Sequence, residues 1–197
     1  THFKLKKIKV GHAGTLDPLA TGLLIICAGK FTKKIDEYQA LFKEYTGTIK
    51  LGNTTPSYDL ETDFNQDFDY AHVTDQLIKE TAQQFLGEIN QIPPIFSAIQ
   101  NDGKRAYDMA RKGQEMEMES RKVTVHQFEI TRIVLPEIDF SIQCSKGTYI
   151  RSIAHDFGKA MNSGAHLAAL RRTKIGEFSV ENAMSLEQFL EQYKEIN

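Results

Sequence analysis

The residues best suited to chemistry lie at 11–22, where a single carboxylate, Asp17, stands between Leu16 and Pro18. Pro18 restricts its own φ angle and biases Asp17 toward an extended backbone. Glycines in the segment allow backbone conformations or close approaches that a Cβ would obstruct. A carboxylate on such a loop can act as a general base or as a nucleophile. The ordinary alternative for an isolated Leu-Asp-Pro triplet is an aspartate that caps a turn.

Apolar patterning predicts the strands that must position this loop. The apolar run at 23–28 indicates a buried strand directly after the loop, and 138–145 alternates as a half-buried strand does. Further strands are predicted over 45–51 and over 123–134, where the alternation changes phase. The acidic stretch at 59–71 is predicted to be a surface loop.

Three helices have recognisable start or stop signals. Thr74 is the predicted N-cap of a helix that Gly87 ends, and a capping box at 185–188 begins the last helix. Apolar residues recur at helical spacing over 150–161, which puts Arg151 in the first turn. A positive charge there is unfavourable with the helix dipole, so an anionic partner is expected. Because strands and helices follow one another irregularly, the pattern favours an α+β fold over a doubly wound one.

Composition limits the class of protein without identifying it. The chain has 197 residues, of which 41% are hydrophobic, enough for one good core or two small ones. The formal net charge of -2 gives no overall basic field for a nucleic acid, but basic residues cluster locally. The clusters are Lys4/Lys6/Lys7/Lys9, Lys30/Lys33/Lys34, Lys104/Arg105/Arg111/Lys112 and Arg171/Arg172/Lys174. Each is either ordinary solvated surface or part of an RNA-binding face.

Cys27 and Cys144 lie far apart in apolar patterns, which indicates buried thiols in a reducing compartment. No segment has the length of a membrane-spanning helix and no secretory signal is visible, so a cytoplasmic location is predicted. The sequence contains no metal-spaced Cys/His set, no phosphate-binding glycine loop and no spacing that nominates a hydrolase triad.

The segment at 11–22 closely resembles the signature that carries the catalytic aspartate of the TruB family, the tRNA pseudouridine-55 synthases. Further segments match that family in the same order along the chain. They are Lys43-Glu44-Tyr45 with Leu51-Gly52, Pro93-Pro94-Ile95-Phe96-Ser97-Ala98, Cys144-Ser145-Lys146-Gly147-Thr148-Tyr149-Ile150-Arg151, and Gly164-Ala165-His166-Leu167 with Leu170-Arg171-Arg172. Phe96 stands where the family usually has tyrosine. The resemblance extends over roughly residues 8–190.

The resemblance implies a pseudouridine synthase fold, with a mainly antiparallel mixed sheet, flanking helices and a catalytic cleft. It implies that uridine-55 in the T loop of tRNA is isomerised to pseudouridine. The catalytic residues would be Asp17, Tyr45 and Arg151, and the substrate-binding residues would be His12, Tyr149 and Leu170. Asp17 becomes the expected partner of Arg151, since a guanidinium binds a carboxylate in a fixed bidentate geometry.

This reaction requires no redox step, phosphate donor or metal, so no cofactor is expected. The expected partner is the T-arm stem-loop of tRNA, with no membrane, no obligatory protein partner and a monomeric state. We expect one catalytic domain over 1–197. From the resemblance we expect this sequence to lack the family's N-terminal strand, with its Lys-Pro-x-Gly-x-Thr-Ser motif, and the family's C-terminal RNA-binding domain. Restoring a native N-terminus is expected to raise activity.

Two alternatives remain open at this level. A non-catalytic RNA-binding or RNA-folding module would need the basic clusters and aromatic residues, but not Asp17 together with Arg151. A guide-RNA-dependent rRNA pseudouridine synthase shares the core of the aspartate signature, but normally carries an appended RNA-binding domain. The joint presence of Asp17 and Arg151 in two separate motif matches favours an enzyme.

Overall fold

The computed structural model describes residues 8–97, 100–101, 104–105 and 118–192, with only the backbone at 100–101 and 104–105. Two of the predicted basic clusters therefore lie largely outside the described side chains: Lys4, Lys6 and Lys7 of the first, and all four residues of the cluster at 104–112. Ala98, the last residue of the Pro93–Ala98 match, lies outside them too.

The described strands are short near the N-terminus and long in the middle of the chain. In chain order they are β1 Val10–His12, β2 Thr21–Gly22, β3 Ile26–Ala28, β4 Lys43–Leu51, β5 Asn53–Thr54, β6 Gln66–Asp67, β7 Gly87–Gln91, β8 Gln100–Asn101, β9 Lys104–Arg105, β10 Arg121–Val134, β11 Glu137–Cys144, β12 Ala165–Ile175 and β13 Phe178–Ser179. The helices are α1 Ile35–Ala40, α2 Asp75–Gln84, α3 Ile150–Ala160 and α4 Leu186–Gln192, with 3-10 turns at Gly29–Lys34 and Val180–Asn182.

One seven-stranded sheet forms the centre of the fold, in the order β13-β12-β4-β11-β10-β7. Every pair along this path is antiparallel, and only β2 joins in parallel, beside β12. Three two-stranded sheets, β1-β3, β5-β6 and β8-β9, complete the described strands. This architecture confirms the predicted α+β class and the mainly antiparallel mixed sheet.

The hydrophobic core lies on one face of this sheet. Alternate residues of β11, from Ile138 to Cys144, are buried, as the sequence pattern predicted. α2 and α3 cover this face, with Ile78 and Ile153 packed into the same cluster as Ile49 of β4. The long strand β10 has irregular register between Val125 and Gln127 and again between Ile130 and Arg132, which confirms the predicted phase change.

Local hydrogen bonds fix the helix starts that the sequence predicted. The backbone N–H of Leu77 donates to Thr74 Oγ1 at 3.2 Å and caps α2. At α4 the Gln188 N–H donates to Ser185 Oγ at 3.2 Å, while the Ser185 N–H donates to Gln188 Oε1 at 2.8 Å. This reciprocal pair is the predicted capping box.

The segment at 23–28 differs from its prediction as a buried strand. Only Ile26–Ala28 is a strand, and it pairs with β1 outside the central sheet. Leu23 and Cys27 are buried, whereas the Ile26 side chain is 59% exposed. A two-stranded ribbon can pack one face against the protein and leave the other open, and an apolar run cannot reveal how many strands will flank it.

The prediction of a surface loop over the acidic stretch at 59–71 is wrong at the first residue of that stretch. Asp59 is 4% exposed and its backbone bridges to Leu167 of β12. Further along, Gln66–Asp67 forms β6 against β5.

Both cysteines are free and buried, as predicted. Among the described residues, no helix is long and apolar enough to cross a membrane.

Candidate active site

An open cleft lies on the core-bearing face of the central sheet, next to the start of α3. Residues directly opposite each other on antiparallel strands point to the same face. Tyr45 of β4 is opposite Ile142 of β11 and Arg172 of β12, so these side chains share the face of the core. The cleft has a volume of about 1020 Å³. Its lining includes Asp17, Tyr45, Tyr149, Arg151 and Leu170, five of the six predicted site residues.

Buried Arg172 holds the loop that carries Asp17. Its guanidinium donates from Nη2 to the Gly14 carbonyl at 3.1 Å and from Nη1 to the Thr15 carbonyl at 3.4 Å. Its Nε donates to the Leu23 carbonyl at 2.8 Å, and the Leu23 N–H donates back to the Arg172 carbonyl at 2.8 Å. One side chain therefore fastens both ends of the loop to β12.

Two glycines permit this close contact. Gly22 has a φ of +104°, and a Cβ there would lie 2.2 Å from the Arg172 carbonyl oxygen. Gly14 has a φ of +94° and presents its carbonyl to the Arg172 guanidinium. A side chain at either position would strain or displace the loop, which confirms the conformational role predicted for these glycines.

Asp17 and Arg151 form a bidentate pair. Arg151 donates from Nη2 to Asp17 Oδ1 at 2.8 Å and from Nε to Asp17 Oδ2 at 3.1 Å. The Arg151 side chain is 3% exposed and the Asp17 side chain 29%, so the carboxylate remains accessible from the cleft while the guanidinium does not. The expected pairing of these two residues is therefore present in the fold.

Arg151 has further partners behind the cleft. Its Nη1 donates to the Ser57 carbonyl at 3.2 Å, and its Nε lies 3.7 Å from Oδ2 of buried Asp59. Arg151 is the second residue of α3, where the helix dipole disfavours a cation. Two carboxylates and a carbonyl offset that cost, which confirms the expectation of an anionic partner.

Tyr45 lies in the cleft beside Arg172, its neighbour across the strands. Burial, followed by the nearby Cys144 thiol, raises the pKa of Tyr45 to about 12, although Arg172 acts in the opposite direction. The phenol therefore stays protonated at neutral pH and presents a hydrogen-bond donor. Its ring offers an aromatic surface to any base that enters the cleft.

Tyr149, the N-cap residue of α3, is held by Gln91 of β7. The Tyr149 N–H donates to Gln91 Oε1 at 2.8 Å, and Gln91 Nε2 donates to the Tyr149 carbonyl at 3.0 Å. The Arg121 guanidinium lies over the Tyr149 ring, 4.6 Å from its centroid. Leu170 and Phe96, the residue in place of the family's tyrosine, supply apolar surface on other sides of the cleft.

His12 is the predicted site residue that does not line the cleft. It is exposed on β1 and is not among the described residues that line the cleft. Its role in substrate binding stays a prediction. Among the described residues, no group of three or more His, Cys, Asp or Glu side chains is arranged to hold a metal ion.

Sequence reasoning missed two residues that the structure brings to the site. The sequence places Arg172 in a basic cluster with Arg171 and Lys174, yet in the fold Arg172 is 2% exposed. Strand alternation could have found it, since it lies two residues after Leu170 and so points to the same face. Asp59 was grouped with an acidic loop, and no local signal separates it from the exposed acids that follow.

An α+β fold with a carboxylate–guanidinium pair in an open cleft agrees with the family profiles that match this chain. A profile described as "TruB family pseudouridylate synthase (N terminal domain)" matches residues 2–150, and one described as "tRNA pseudouridylate synthase B C-terminal domain" matches residues 151–197. The protein is therefore a pseudouridylate synthase.

Curated relatives define the family more closely. The chain is 67% identical over 186 residues to tRNA pseudouridine synthase B of Flavobacterium johnsoniae, covering 94% of this chain and 81% of the relative. It is 53% identical to the enzyme of the same name from Phocaeicola vulgatus, covering 95% of this chain and 80% of the relative. The chain belongs to the TruB family.

Solved structures with the same fold come from larger assemblies. A chain of a Cbf5–Nop10–Gar1 complex superimposes with a TM-score of 0.70 at 29% identity, covering 95% of this chain. A chain of an archaeal box H/ACA Nop10–Cbf5 complex gives a TM-score of 0.67 at 26% identity over the same share. This chain spans 48% and 47% of those longer chains, respectively.

Proposed function

We propose that this protein isomerises uridine-55 in the T loop of tRNA to pseudouridine, with Asp17 as the nucleophile or general base. The observation that carries the proposal is the bidentate Asp17–Arg151 pair at the wall of an open cleft. The relatives named tRNA pseudouridine synthase B support tRNA as the substrate class. Both the position of the target uridine and the residue roles belong to the proposal.

The reaction is an isomerisation, so its atoms balance within the substrate. The bond between N1 of uracil and C1′ of ribose breaks, the base turns, and a bond forms between C5 and C1′. The proton on C5 leaves and N1 gains one, so a single carboxylate that adds to the substrate or accepts a proton can start the sequence. Attack on ribose C1′, attack on uracil C6 and initial proton removal remain alternatives for Asp17.

Each neighbour of Asp17 has a distinct part in this proposal. Arg151 orients the carboxylate through two parallel hydrogen bonds and offsets its charge. Tyr45 stacks on the uracil and its protonated phenol lies near C5. Tyr149 and Leu170, which line the cleft, form the uracil pocket. His12 helps to hold the extruded nucleotide. The uridine must leave its stack to reach Asp17.

The remaining expectations follow from the substrate. The tRNA T-arm stem-loop is the proposed partner, bound through phosphate contacts from the basic clusters named in the sequence analysis. The enzyme is proposed to work as a cytoplasmic monomer without cofactor or obligatory protein partner. A guide-RNA-dependent activity on rRNA is the second candidate, because solved structures of the same fold include an H/ACA particle bound to a substrate RNA.

The test follows tritium release from C5 of uridine in a tRNA T-arm transcript, incubated with the protein alone. Modified positions are then mapped in RNA from cells that lack the gene. We expect release without any guide RNA and loss of the single pseudouridine at tRNA position 55. Release that depends on an added guide RNA would support the second candidate. Tight RNA binding with no release would favour a non-catalytic RNA-binding module.

A further inference from the structure

The turn that supports Arg151 from behind contains an unusual backbone conformation. Tyr58 has a φ of +64°, in the left-handed region that bulky residues rarely occupy. Such a conformation is strained and persists only where the surroundings hold it in place. Tyr58 lies between Ser57 and Asp59, the two residues that contact Arg151 from this turn.

Hydrogen bonds hold this turn from both sides. The Tyr58 N–H donates to the Thr55 carbonyl at 3.1 Å, and the Tyr58 carbonyl accepts the Leu167 N–H of β12 at 2.9 Å. The buried hydroxyls of Thr55 and Ser57 both donate to the Asp59 carbonyl, at 2.6 and 3.1 Å. The backbone of the turn is thus fixed to the sheet.

The Tyr58 side chain makes the contact with the helix. Its ring stacks on His155 of α3, with centroids 4.0 Å apart and planes 15° apart. His155 is four residues after Arg151, one turn further along the same helix face. The turn therefore touches α3 at two successive positions: Ser57 and Asp59 at Arg151, and Tyr58 at His155.

From this arrangement we propose that the Tyr58–His155 stack is a positioning element that sets the guanidinium of Arg151 against Asp17. The inference deepens the proposed function and rests on it. With the stack in place, the turn cannot move along the helix, so the Ser57 carbonyl and the Asp59 carboxylate stay behind Arg151. The edge of the guanidinium formed by Nε and Nη2 then faces Asp17.

The contact is not part of the main hydrophobic core. Tyr58 and His155 are half-buried, and neither belongs to the cluster built around the sheet and α2. Burial, then the charge of Lys159, lowers the pKa of His155, so its ring is neutral at neutral pH and can stack as an aromatic surface. A role limited to core packing would not need a tyrosine in a left-handed conformation.

Two substitutions at Tyr58 separate the ring from the backbone. Tyr58→Gly removes the ring but tolerates the positive φ, so the turn keeps its conformation with less strain. Tyr58→Phe keeps the stacking ring and removes only the hydroxyl. Single-turnover rates and filter-binding affinities on a T-arm transcript are measured for both, together with thermal unfolding.

We expect Tyr58→Gly to lose on the order of 10- to 100-fold in the single-turnover rate, because small misplacements of catalytic groups have effects of this size. Its RNA affinity is expected to stay within about twofold of wild type, and Tyr58→Phe is expected to keep the wild-type rate to within about threefold. If Tyr58→Gly does not fold, His155→Leu removes the stack from the helix side and keeps a good helix former. We expect it to show the loss of rate predicted for Tyr58→Gly.

Coupling to Arg151 provides the decisive readout. Arg151→Lys cannot form the bidentate pair, so adding Tyr58→Gly to it should lower the rate no further, whereas independent effects would multiply. Multiplicative effects, a wild-type rate in both ring-removing variants, or an equal loss in Tyr58→Phe would overturn the inference. The proposed function fails separately, if the wild-type protein itself releases no tritium from the transcript.

Discussion

Arg151 binds both carboxylate oxygens of Asp17 although the two residues are 134 positions apart in the chain. The same guanidinium also reaches the Ser57 carbonyl and the Asp59 carboxylate. The start of α3 thus joins the aspartate loop and the turn at 55–59 at one point. Because the pair is formed between fixed elements, the carboxylate is oriented before any substrate enters the cleft.

Replacing Asp17 by asparagine is expected to abolish pseudouridine formation while leaving the fold and tRNA affinity intact. The amide is nearly isosteric but is neither a useful base nor a carboxylate nucleophile, so the rate should fall by about 1000-fold or more. Arg151 retains Asp59 and the Ser57 carbonyl as partners, which limits the loss of stability. Tritium release and filter binding are measured together. Turnover within tenfold of wild type would remove Asp17 from the mechanism.

Replacing Tyr45 by phenylalanine is expected to preserve RNA binding and reduce turnover. The stacking ring remains, but the protonated phenol, whose pKa is about 12, is lost. Loss of a proton-transfer group typically costs about 100-fold or more in rate. Single-turnover kinetics with saturating transcript separate the two effects. If binding is lost while bound substrate turns over normally, Tyr45 positions the RNA and transfers no proton.

Replacing Arg172 by lysine is expected to destabilise the protein by about 2 to 4 kcal/mol and to lower the single-turnover rate. A lysine cannot reach the Gly14, Thr15 and Leu23 carbonyls together, so buried acceptors lose their donors. Arg171→Lys is the matched control, because Arg171 is the adjacent residue and is exposed. Urea unfolding of both variants measures the difference. Equal stability of the two would contradict the role of Arg172 in fixing the aspartate loop.

Stability is expected to fall as the pH drops below about 6.5, in part through two histidines. Burial, assisted by Lys159, lowers the pKa of His155, and burial also lowers the pKa of His166. The unfolded chain therefore binds protons that the folded chain does not, and protonation favours unfolding. The stability contributed by these two neutral histidines is fully present above about pH 6.5. It is lost as the pH falls toward their folded-state pKa values.

Urea unfolding between about pH 7.5 and about pH 5.5 tests this expectation on matched variants. His155→Phe should flatten the decline, because it removes one of the two titrating rings. His126→Gln, at an exposed position on β10, should follow the wild-type curve. The comparison is made between variants because burial raises the pKa of Asp156, which acts in the opposite direction at pH values above 3.8. Parallel curves for wild type and His155→Phe would show that His155 contributes nothing.

Much of the local structure could be predicted because its causes are local. Alternation in β11, the bulges of β10 and the caps at Thr74 and Ser185 all follow from residues within a few positions of one another. The glycines at 14 and 22 likewise indicated a specially shaped loop. The family signature added the candidate residues Asp17 and Arg151, whose chemistry requires a carboxylate and a guanidinium.

By itself, then, the sequence determined the class of fold, most of the elements and the chemical groups available to the site. Tertiary structure alone decided that the 23–28 run pairs outside the central sheet, that the Arg172 guanidinium binds the carbonyls of the aspartate loop, and that Asp59 turns inward to Arg151. These outcomes depend on strand register and on contacts between segments far apart in the chain. Periodicity and capping carry no information about such contacts, because they report only on near neighbours.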